Sequence, residues 1–451
     1  MSSTKEIEKL NHLRQQFPEK FISKVVVEDA ALLRKFGINI ENKESFSRVF
    51  LKMFPQDFIV EEIDNEEVFH SVAEEEVERT GSGRYCALTL VKCGLSTIEA
   101  VQDIALKLGT DAKNISYAGV KDKKAITAQK IVVPAQYKEK LTEIKSEFYF
   151  IKNIHFTNQP LAPGNLKANK FTILLRTNEN TDSVEKNSEI VSRYGFKNFY
   201  YLQRFGSPRL LSPKYGYLIA KGMFEKLVSV VLFERGVFEI DYFAELREKA
   251  KSHAPDWKKV KEEFADFPTI LRTEHRLLDA LIAHNGNIVE SLKEIQDQTQ
   301  LWVYALASLL FNNLASVSNE KKLPLCLTRN KTVQNLYSKI YQIIKLEPSY
   351  LENISQFKFI PLRDRDVVVN LIPEIHAVKK IEGVGVVLQF TLPKGAYATT
   401  FLSHMFNLVS ADENELINKD LIDIKEILGD TSFSQVFDRF KKLAITEADI
   451  E

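Results

Sequence analysis

A single carboxylate, Asp122, lies among three lysines in the segment NISYAGVKDKKAITAQ, which spans residues 114–129. Lys121, Lys123 and Lys124 surround Asp122 with positive charge, which favours the ionised carboxylate and attracts a polyanion. An ionised carboxylate is what a nucleophile or a general base requires, and a phosphodiester substrate requires the positive charge. Exposed turns also have this composition, so the cluster alone leaves both interpretations open.

The residues before Asp122 predict how the chain positions it. The run from Ile115 to Ala118 is short, largely apolar and compatible with a β-strand. Gly119 then permits a backbone conformation that a residue with a Cβ resists. We therefore expect Asp122 just after a strand.

A second segment, residues 190–220, combines basic and aromatic side chains and contains no acidic residue. RNA recognition uses basic groups for phosphates and flat rings for unstacked bases. An aromatic core with basic residues on its solvated side has the same composition, so this alternative stays open. The basic residues are Arg193, Lys197, Arg204, Arg209 and Lys214, and the aromatic residues are Tyr194, Phe196, Phe199, Tyr200, Tyr201, Phe205, Tyr215 and Tyr217.

Length and composition limit the class of protein. The chain has 451 residues, of which 44% are hydrophobic and 27% charged, which is typical of a soluble globular protein with two or three domains. No apolar stretch has the length of a membrane span, and the charged N-terminus is unlike a secretory signal, so an intracellular protein is expected. Sixty-one basic and 61 acidic residues give no net charge, so any RNA site must be local.

Metal, disulfide and cofactor chemistry are not expected. Cys86, Cys93 and Cys326 form no CxxC pair, and the eight histidines include no close pair of ligands. The sequence also contains no Walker A or dinucleotide-binding loop. We therefore predict a site with no metal and no cofactor.

Strand and helix patterns alternate in the first half of the chain. Strands are predicted after Pro55, over 84–93, 130–133, 148–156 and 171–176, and again over 383–392. A helix is predicted from Ser96 to Gly109, with a capping box between Ser96 and Glu99 and an apolar stripe that starts at Ile98. This mixture predicts an α+β protein with an antiparallel sheet.

Three further segments carry weaker predictions. Residues 61–78 contain nine acidic residues and no Lys or Arg, which predicts a solvated segment that turns away from RNA. The pattern from 234 to 374 is mostly helical and predicts a second domain. His404 is expected on an amphipathic helix without a catalytic role, and the acidic tail from Ala411 is expected to form a solvated helix pair.

The central segment resembles the signature of the TruD family of tRNA pseudouridine synthases, (Y/F)-A-G-x-K-D-x-x-A-x-T-x-Q. The matching residues are Tyr117, Ala118, Gly119, Lys121, Asp122, Ala125, Thr127 and Gln129. The segment LKMFPQDFIVEEI also resembles the family's lysine followed by P-x-D-F-x-V-x-E. Its matching residues are Lys52, Pro55, Asp57, Phe58, Val60 and Glu62.

Three later segments are similar to TruD motifs. PGNLKANKFTILLR, from Pro163, resembles G-x-L-K-G-N-x-F-x-(I/L)-x-L-R, with Ala168 in place of a glycine. NFYYLQRFG, from Asn198, is similar to N-Y-F-G-x-Q-R-F-G, with Tyr201 in place of a glycine. LPKGAYATTFL, from Leu392, resembles the closing motif L-P-x-G-(S/A)-(Y/F)-A-T.

The resemblance implies an α+β pseudouridine synthase fold with a mixed, largely antiparallel sheet and an inserted α/β TRUD domain. It implies an N-terminal extension over 1–48, a catalytic domain over 49–194 and 379–451, and the insertion over 195–378. The expected reaction converts a uridine of tRNA, at position 13 of the D arm, to pseudouridine without a cofactor. Asp122 is the implied catalytic residue, and the implied substrate-binding residues are Lys52, Phe58, Lys121, Asn169, Phe171, Gln203 and Arg204.

Other functions and several properties stay open. A non-catalytic RNA-binding or RNA-chaperone protein of the same fold is the main alternative, although it would not need Asp122. An RNA methyltransferase would need a glycine-rich cofactor loop, and a scaffold would show a repeat. The expected location is the cytoplasm, or the nucleus in a eukaryote. Whether Asp122 acts as nucleophile or base, whether other RNAs are modified and the oligomeric state are not decided.

Overall fold

The computed structural model describes residues 2–22, 26–74, 82–347, 349–409 and 417–447. The chain forms two compact units. One consists of Met1–Glu41 with Lys197–Asn370, and the other of Asn42–Phe196 with Leu371–Glu451. The segment before residue 42 therefore shares a unit with the middle of the chain. The domain assignment from the sequence, with its catalytic and inserted domains, stays a prediction.

The helices and strands of the described residues are numbered along the chain. The strands are β1 (Arg48–Leu51), β2 (Phe58–Asp64), β3 (Tyr85–Cys93), β4 (Ser116–Tyr117), β5 (Ile126–Pro134), β6 (Tyr149–Thr157), β7 (Leu166–Arg176), β8 (Phe196–Lys197), β9 (Lys322–Pro324), β10 (Asp366–Val368), β11 (Asn370–Leu371), β12 (Glu374–Ile381), β13 (Gly385–Pro393) and β14 (Asn407–Val409). The α-helices are α1 (Ser2–Gln16), α2 (Ala30–Arg34), α3 (Thr97–Leu108), α4 (Lys138–Glu143), α5 (Ser183–Tyr194), α6 (Ser212–Ala220), α7 (Phe224–Phe233), α8 (Asp241–Lys251), α9 (Trp257–Glu263), α10 (Arg272–Ala283), α11 (Ile288–Glu294), α12 (Gln296–Val317), α13 (Lys331–Leu336), α14 (Ser338–Ile344), α15 (Tyr350–Ser355), α16 (Ala398–Ser403), α17 (Ile424–Ile427) and α18 (Ser434–Glu447).

A mixed sheet organises the unit that contains Asp122. Its main path has the strand order β12-β13-β7-β2-β5-β3-β6, with β4 paired to β5 and with β1 paired to β7 and β14. Strands β2 and β5 run parallel, as do β1 and β14, and the other pairs are antiparallel. The predicted α+β class with a mixed, largely antiparallel sheet is therefore confirmed.

The register of this sheet decides which side chains share a face. Val60 of β2 lies opposite Phe171 of β7, and Glu62 lies opposite Asn169. Because side chains alternate along a strand, these four residues are on one face, while Ile59 and Glu61 are on the other. Apolar residues on both faces are buried, so the sheet is covered on each side.

Helix α3 covers part of the face that carries Val60. Its predicted capping box is confirmed: Ser96 N–H donates to Glu99 Oε2 (2.7 Å), and Glu99 N–H donates to Ser96 Oγ (3.2 Å). Val101, Ile104 and their neighbours pack against β3 and β5. The prediction that Ile98 belongs to this stripe is wrong, because Ile98 is exposed.

The C-terminal helices cover the opposite face. Ile424 of α17 and Val436 of α18 are buried in a cluster with Ile59, Ile126 and other sheet residues. The prediction of a solvated helix pair is therefore wrong for the described part of the tail, because each helix contributes an apolar side to the core. Residues 411–416 and 448–451 of the predicted tail lie outside the described residues.

His404 does not lie within a helix. Helix α16 ends at Ser403, and His404 is its C-cap residue, just before β14. Its Nδ1 lies 2.8 Å from the carbonyl oxygen of Thr400. Helix α16 therefore includes only Leu402 and Ser403 of the pattern LSHMFNL, which was expected to be helical throughout.

The acidic segment over 61–78 is not solvated at its start. Glu61, Glu62 and Asp64 are all buried. Burial alone would raise the pKa of Asp64, but hydrogen bonds from His70 and Lys130 hold this pKa well below its usual range. The prediction was wrong here because buried lysines from distant parts of the chain pair with these carboxylates. Residues 75–81 lie outside the described residues.

The other unit is largely helical and includes a two-stranded antiparallel sheet of β9 and β10. The predicted second domain over 234–374 lies mostly within it. The N-terminal segment packs on this unit: Phe36 stacks on Phe205 at 5.0 Å between ring centroids, and Tyr201 Oη donates to Glu28. Among the described residues, none of the helices is long and apolar enough to cross a membrane.

A buried ion pair fixes the start of β2 to the end of β7. Arg176 donates through Nε and Nη2 to the two carboxylate oxygens of Asp57, at 2.7 Å each. Nη1 also donates to the carbonyl oxygen of Asn418, and Nη2 to that of Asp420. This two-point geometry satisfies both charges away from water.

We expect the Asp57→Asn variant to lose about 3–5 kcal/mol of unfolding free energy, because it leaves the Arg176 charge buried without its partner. Equilibrium chemical denaturation measures this loss. Glu179→Gln is the control, since Glu179 pairs with exposed Arg48 at 2.6 Å and should lose at most about 1 kcal/mol. Equal losses in the two variants would contradict the conclusion that the buried Asp57–Arg176 pair is the stronger stabilising interaction.

Candidate active site

The loop over 118–125 carries Asp122 between β4 and β5. Gln129 Nε2 donates to the Gly119 carbonyl oxygen (3.0 Å), and Lys121 N–H donates to Thr97 Oγ1 (2.8 Å). The Thr97 hydroxyl in turn donates to Gln129 Oε1 at 2.7 Å. The loop backbone is therefore hydrogen-bonded to two fixed elements, the start of α3 and strand β5.

The backbone of Gly119 differs from the one that the sequence predicts. Its φ is outside the left-handed region, and a Cβ there would have no atom within 4 Å. The expectation of a backbone conformation closed to other residues is therefore wrong. The missing side chain instead leaves open space beside the loop, next to Val120, which is 58% exposed.

Lys92 of β3 holds the backbone of Asp122. It is fully buried, and its Nζ donates to the carbonyl oxygens of Leu95 and Asp122, at 2.7 Å each. Burial lowers the pKa of Lys92 to about 8, although the nearby Asp122 carboxylate acts in the opposite direction. Lys92 is not among the site residues that the sequence predicts. A lysine inside the apolar strand YCALTLVKC was the available signal.

The Asp122 side chain lies at the surface of the unit and is 49% exposed. Its Oδ1 is 2.9 Å from Nζ of Lys52, whose side chain is only 17% exposed. Lys52 has a φ of +58°, in the left-handed region that side chains with a Cβ rarely adopt. A strained backbone conformation of this kind persists only where the surrounding structure holds it in place. In this conformation the Lys52 amine lies beside the Asp122 carboxylate.

A row of aromatic rings lies beside this ion pair. Lys52 Nζ is 4.1 Å from the centroid of the Phe58 ring, within the range of a cation–π contact. Phe58 meets Phe171 edge to face at 6.1 Å, and Phe171 stacks on Phe390 at 5.2 Å. Phe58 and Phe171 are largely buried, so these rings belong to the core of the unit next to the Lys52–Asp122 pair.

Asn169 and Lys121 lie on either side of Glu62. Lys121 is buried, and its Nζ pairs with Glu62 Oε2 at 2.5 Å. Asn169 faces Glu62 across the β7–β2 pair, and its Oδ1 is buried without a hydrogen-bond partner. An unsatisfied buried carboxamide oxygen is costly, which makes Asn169 a candidate for binding a ligand with a donor group.

Gln203 and Arg204 belong to the other compact unit. Both lie in the short 3-10 helix Leu202–Phe205, where Gln203 is exposed and Arg204 is half-buried near the Tyr200 ring. Six of the eight aromatic residues of the 190–220 segment are buried. Lys197, Arg209 and Lys214 bind groups of their own unit. Most of this segment is therefore an aromatic core with its own charge pairs, and Arg204 stays a predicted RNA contact.

The structure thus brings six predicted residues together in one unit: Lys52, Phe58, Lys121, Asp122, Asn169 and Phe171. A half-exposed carboxylate beside a lysine can act as a nucleophile or a base. Flat rings and an unpaired carboxamide can hold a planar heterocycle.

Comparison with known proteins identifies the family to which this chain belongs. The sequence model of the family tRNA pseudouridine synthase D (TruD) matches residues 47–333. A Methanocaldococcus jannaschii protein named probable tRNA pseudouridine synthase D 1 is 26% identical over 389 residues, 80% of this chain and 95% of that protein. The human pseudouridylate synthase 7 homolog is 28% identical over 242 residues, 52% of this chain and 36% of that protein.

A solved structure has the same fold. The crystal structure of a Methanosarcina mazei protein described as tRNA pseudouridine synthase D superposes with a TM-score of 0.61 at 23% identity, over 82% of this chain and 97% of that one. Together the matches place the chain in the class of pseudouridine synthases. Within this class it belongs to the TruD family, whose sequence model matches more than half of the chain.

We expect the Thr97→Val variant to loosen the loop, because it leaves the Lys121 N–H and Gln129 Oε1 without their shared partner. The free energy of unfolding should fall by about 1–3 kcal/mol, and hydrogen exchange at the Lys121 amide should become faster. Thr172→Val is the control, because it removes one hydrogen bond from Gln389 elsewhere on the sheet. Unchanged exchange at Lys121 in Thr97→Val would show that Thr97 does not hold the loop.

Proposed function

We propose that this protein converts a uridine of tRNA to pseudouridine, with Asp122 as the catalytic carboxylate. The expected target is position 13 of the D arm. The observation that carries the proposal is the half-exposed Asp122 carboxylate, which lies 2.9 Å from Lys52 Nζ. The backbone of its loop is fixed by hydrogen bonds with Lys92 and Thr97. The Asp122 carboxylate is therefore accessible to a substrate and has the Lys52 ammonium beside it.

The reaction is an isomerisation in which no atom is gained or lost overall. The bond from the ribose C1′ to N1 of uracil breaks, the base turns, and C1′ bonds to C5. The proton of C5 leaves, and N1 carries a proton in the product. Asp122 supplies the charge close to C1′, either as a nucleophile that bonds to the sugar or as a base that removes a ribose proton.

A base stacked inside a helix is out of reach of Asp122, so we propose that the target uridine is turned out of the RNA. Phe58 and Phe171 supply the apolar wall on which the uracil packs. Asn169 Oδ1, which is buried without a partner, accepts a hydrogen bond from the uracil N3–H. The open space beside Gly119 admits the sugar and its phosphate.

We assign the remaining predicted residues separately. Lys121 is paired with buried Glu62, so we propose that it supports the loop and does not contact a phosphate directly. Gln203 and Arg204 bind the tRNA outside the target nucleotide. The proposed location is inside the cell, where the tRNA substrate is.

We expect the Asp122→Asn variant to lose roughly 10²–10⁴-fold in kcat, because the amide can neither attack C1′ nor accept a ribose proton. The measurement is tritium released from C5 of uridine in a tRNA transcript, with tRNA binding measured in parallel. Asp111→Asn is the control, since Asp111 is an exposed residue that caps a short 3-10 helix.

The outcomes separate the alternatives. Tritium release by the parent and the Asp111 variant but not by Asp122→Asn, with tRNA binding retained in all three, supports the proposal. Equal release by Asp122→Asn would remove Asp122 as the catalyst. Tight tRNA binding without release by the parent would favour a non-catalytic RNA-binding protein.

We expect Arg204→Gln to weaken tRNA binding without changing kcat, because a phosphate contact supplies affinity but no chemistry. The slope of log Kd plotted against log salt concentration should decrease by about one, since about one counterion fewer is released on binding. Lys214→Gln is the control, since Lys214 pairs with Glu234 at 2.6 Å and should leave that slope unchanged. An unchanged slope in Arg204→Gln would remove Arg204 from the tRNA contact.

A further inference from the structure

We infer that Lys92 is a positioning residue for the proposed reaction: its ammonium group fixes the backbone of Asp122 and thereby the direction of the catalytic carboxylate. This inference rests on the proposed function. It adds a residue that contacts neither the sugar nor the base.

The contacts of Lys92 are specific to the catalytic position. Its Nζ donates to the carbonyl oxygen of Asp122 and to that of Leu95, at 2.7 Å each. Leu95 lies in the turn between β3 and α3, so one ammonium ties this turn to the loop. Thr97 and Gln129 hold the loop at Lys121 and Gly119, whereas Lys92 acts on Asp122 itself.

A lysine here needs an explanation, because a charged amine in the interior is costly unless it is paired. Lys92 lies opposite Thr127 of β5 and Tyr149 of β6, and it is fully buried. An apolar residue would satisfy the packing of β3 at no such cost. The hydrogen bonds to two backbone carbonyls therefore account for the lysine.

The strength of this link depends on the charge of Lys92. A charged donor makes hydrogen bonds roughly twice as strong as a neutral one. The titratable groups that act on Lys92 are Asp122 and Lys121 of the loop, Glu99 of α3 and the neighbouring thiol of Cys93. The phenol of Tyr149 belongs to the residue opposite Lys92 on β6. Because burial lowers the pKa of Lys92 to about 8, the link should weaken as the pH rises through that value.

The first test compares two buried lysines in the full-length protein, each changed to methionine. Lys92→Met should lower kcat for tritium release from tRNA by about 10–100-fold, because the carboxylate is misplaced, and leave KM for tRNA unchanged. Lys43→Met is the matched control. Lys43 is also buried and donates to the Ser403 carbonyl (2.8 Å) and hydroxyl (3.0 Å), so its loss should lower stability but not the kcat of the folded protein.

The second test uses pH and does not depend on the methionine variant being folded. The parent kcat should decline between pH 7 and pH 9, because deprotonation of Lys92 weakens the bond to Asp122. Lys92→Arg keeps its charge throughout this range and should lose this decline while retaining part of the parent kcat. Lys92→Met, where folded, should have a low kcat that does not decline over the same range.

Each outcome is decisive. A Lys92→Met variant with the parent kcat would overturn the role of Lys92. Equal loss of kcat in Lys92→Met and Lys43→Met would also overturn it, since the effect would then be one of stability. No tritium release by the parent protein on any tRNA would overturn the proposed function, and this inference with it.

Discussion

Strand β2 carries three buried carboxylates, and the structure around the site depends on their pairing with lysines. These pairs join Glu61 to Lys425 (2.7 Å), Glu62 to Lys121 (2.5 Å) and Asp64 to Lys130 (2.9 Å). An unpaired charge at any of these positions would be strongly destabilising, so each pair must form when the chain folds. Because side chains alternate along β2, the first pair holds a C-terminal helix on one face and the second holds the loop of Asp122 on the other.

This arrangement anchors the Asp122 loop inside the unit and leaves the Asp122 side chain at the surface of the unit. Lys92, Lys121 and the Thr97–Gln129 pair hold the loop from within the unit, where water does not compete. The Asp122 carboxylate is half-exposed and is held by Lys52. The proposed catalysis requires a carboxylate that is both accessible to substrate and fixed in direction. The buried anchors of the loop and the exposed Asp122 side chain are consistent with both requirements.

Sequence patterns were reliable where the determining contacts are local. The capping box of α3 joins residues three positions apart, and the strands after Pro55 and around residue 88 follow from their apolar composition. The patterns failed where the partners are distant. The acidic residues of β2 were expected in water, yet the partner of Glu61 lies 364 residues further along the chain. The rings of the 190–220 segment fit RNA binding by composition, and most of them are buried.

The sequence by itself determined the identity of the candidate catalyst, the family motifs around it and the class of fold, because these depend on residue type and short spacing. It also supplied Lys52, Phe58, Asn169 and Phe171 as candidates, although the site roles of these residues remain proposals. The tertiary structure decided which group each lysine binds. Lys52 pairs with the Asp122 carboxylate, Lys121 pairs with Glu62, and Lys92 donates a hydrogen bond to the loop backbone. The reason is physical, since the pairing of charges depends on distance and burial, and both are set by sheet register between strands that are far apart in the chain.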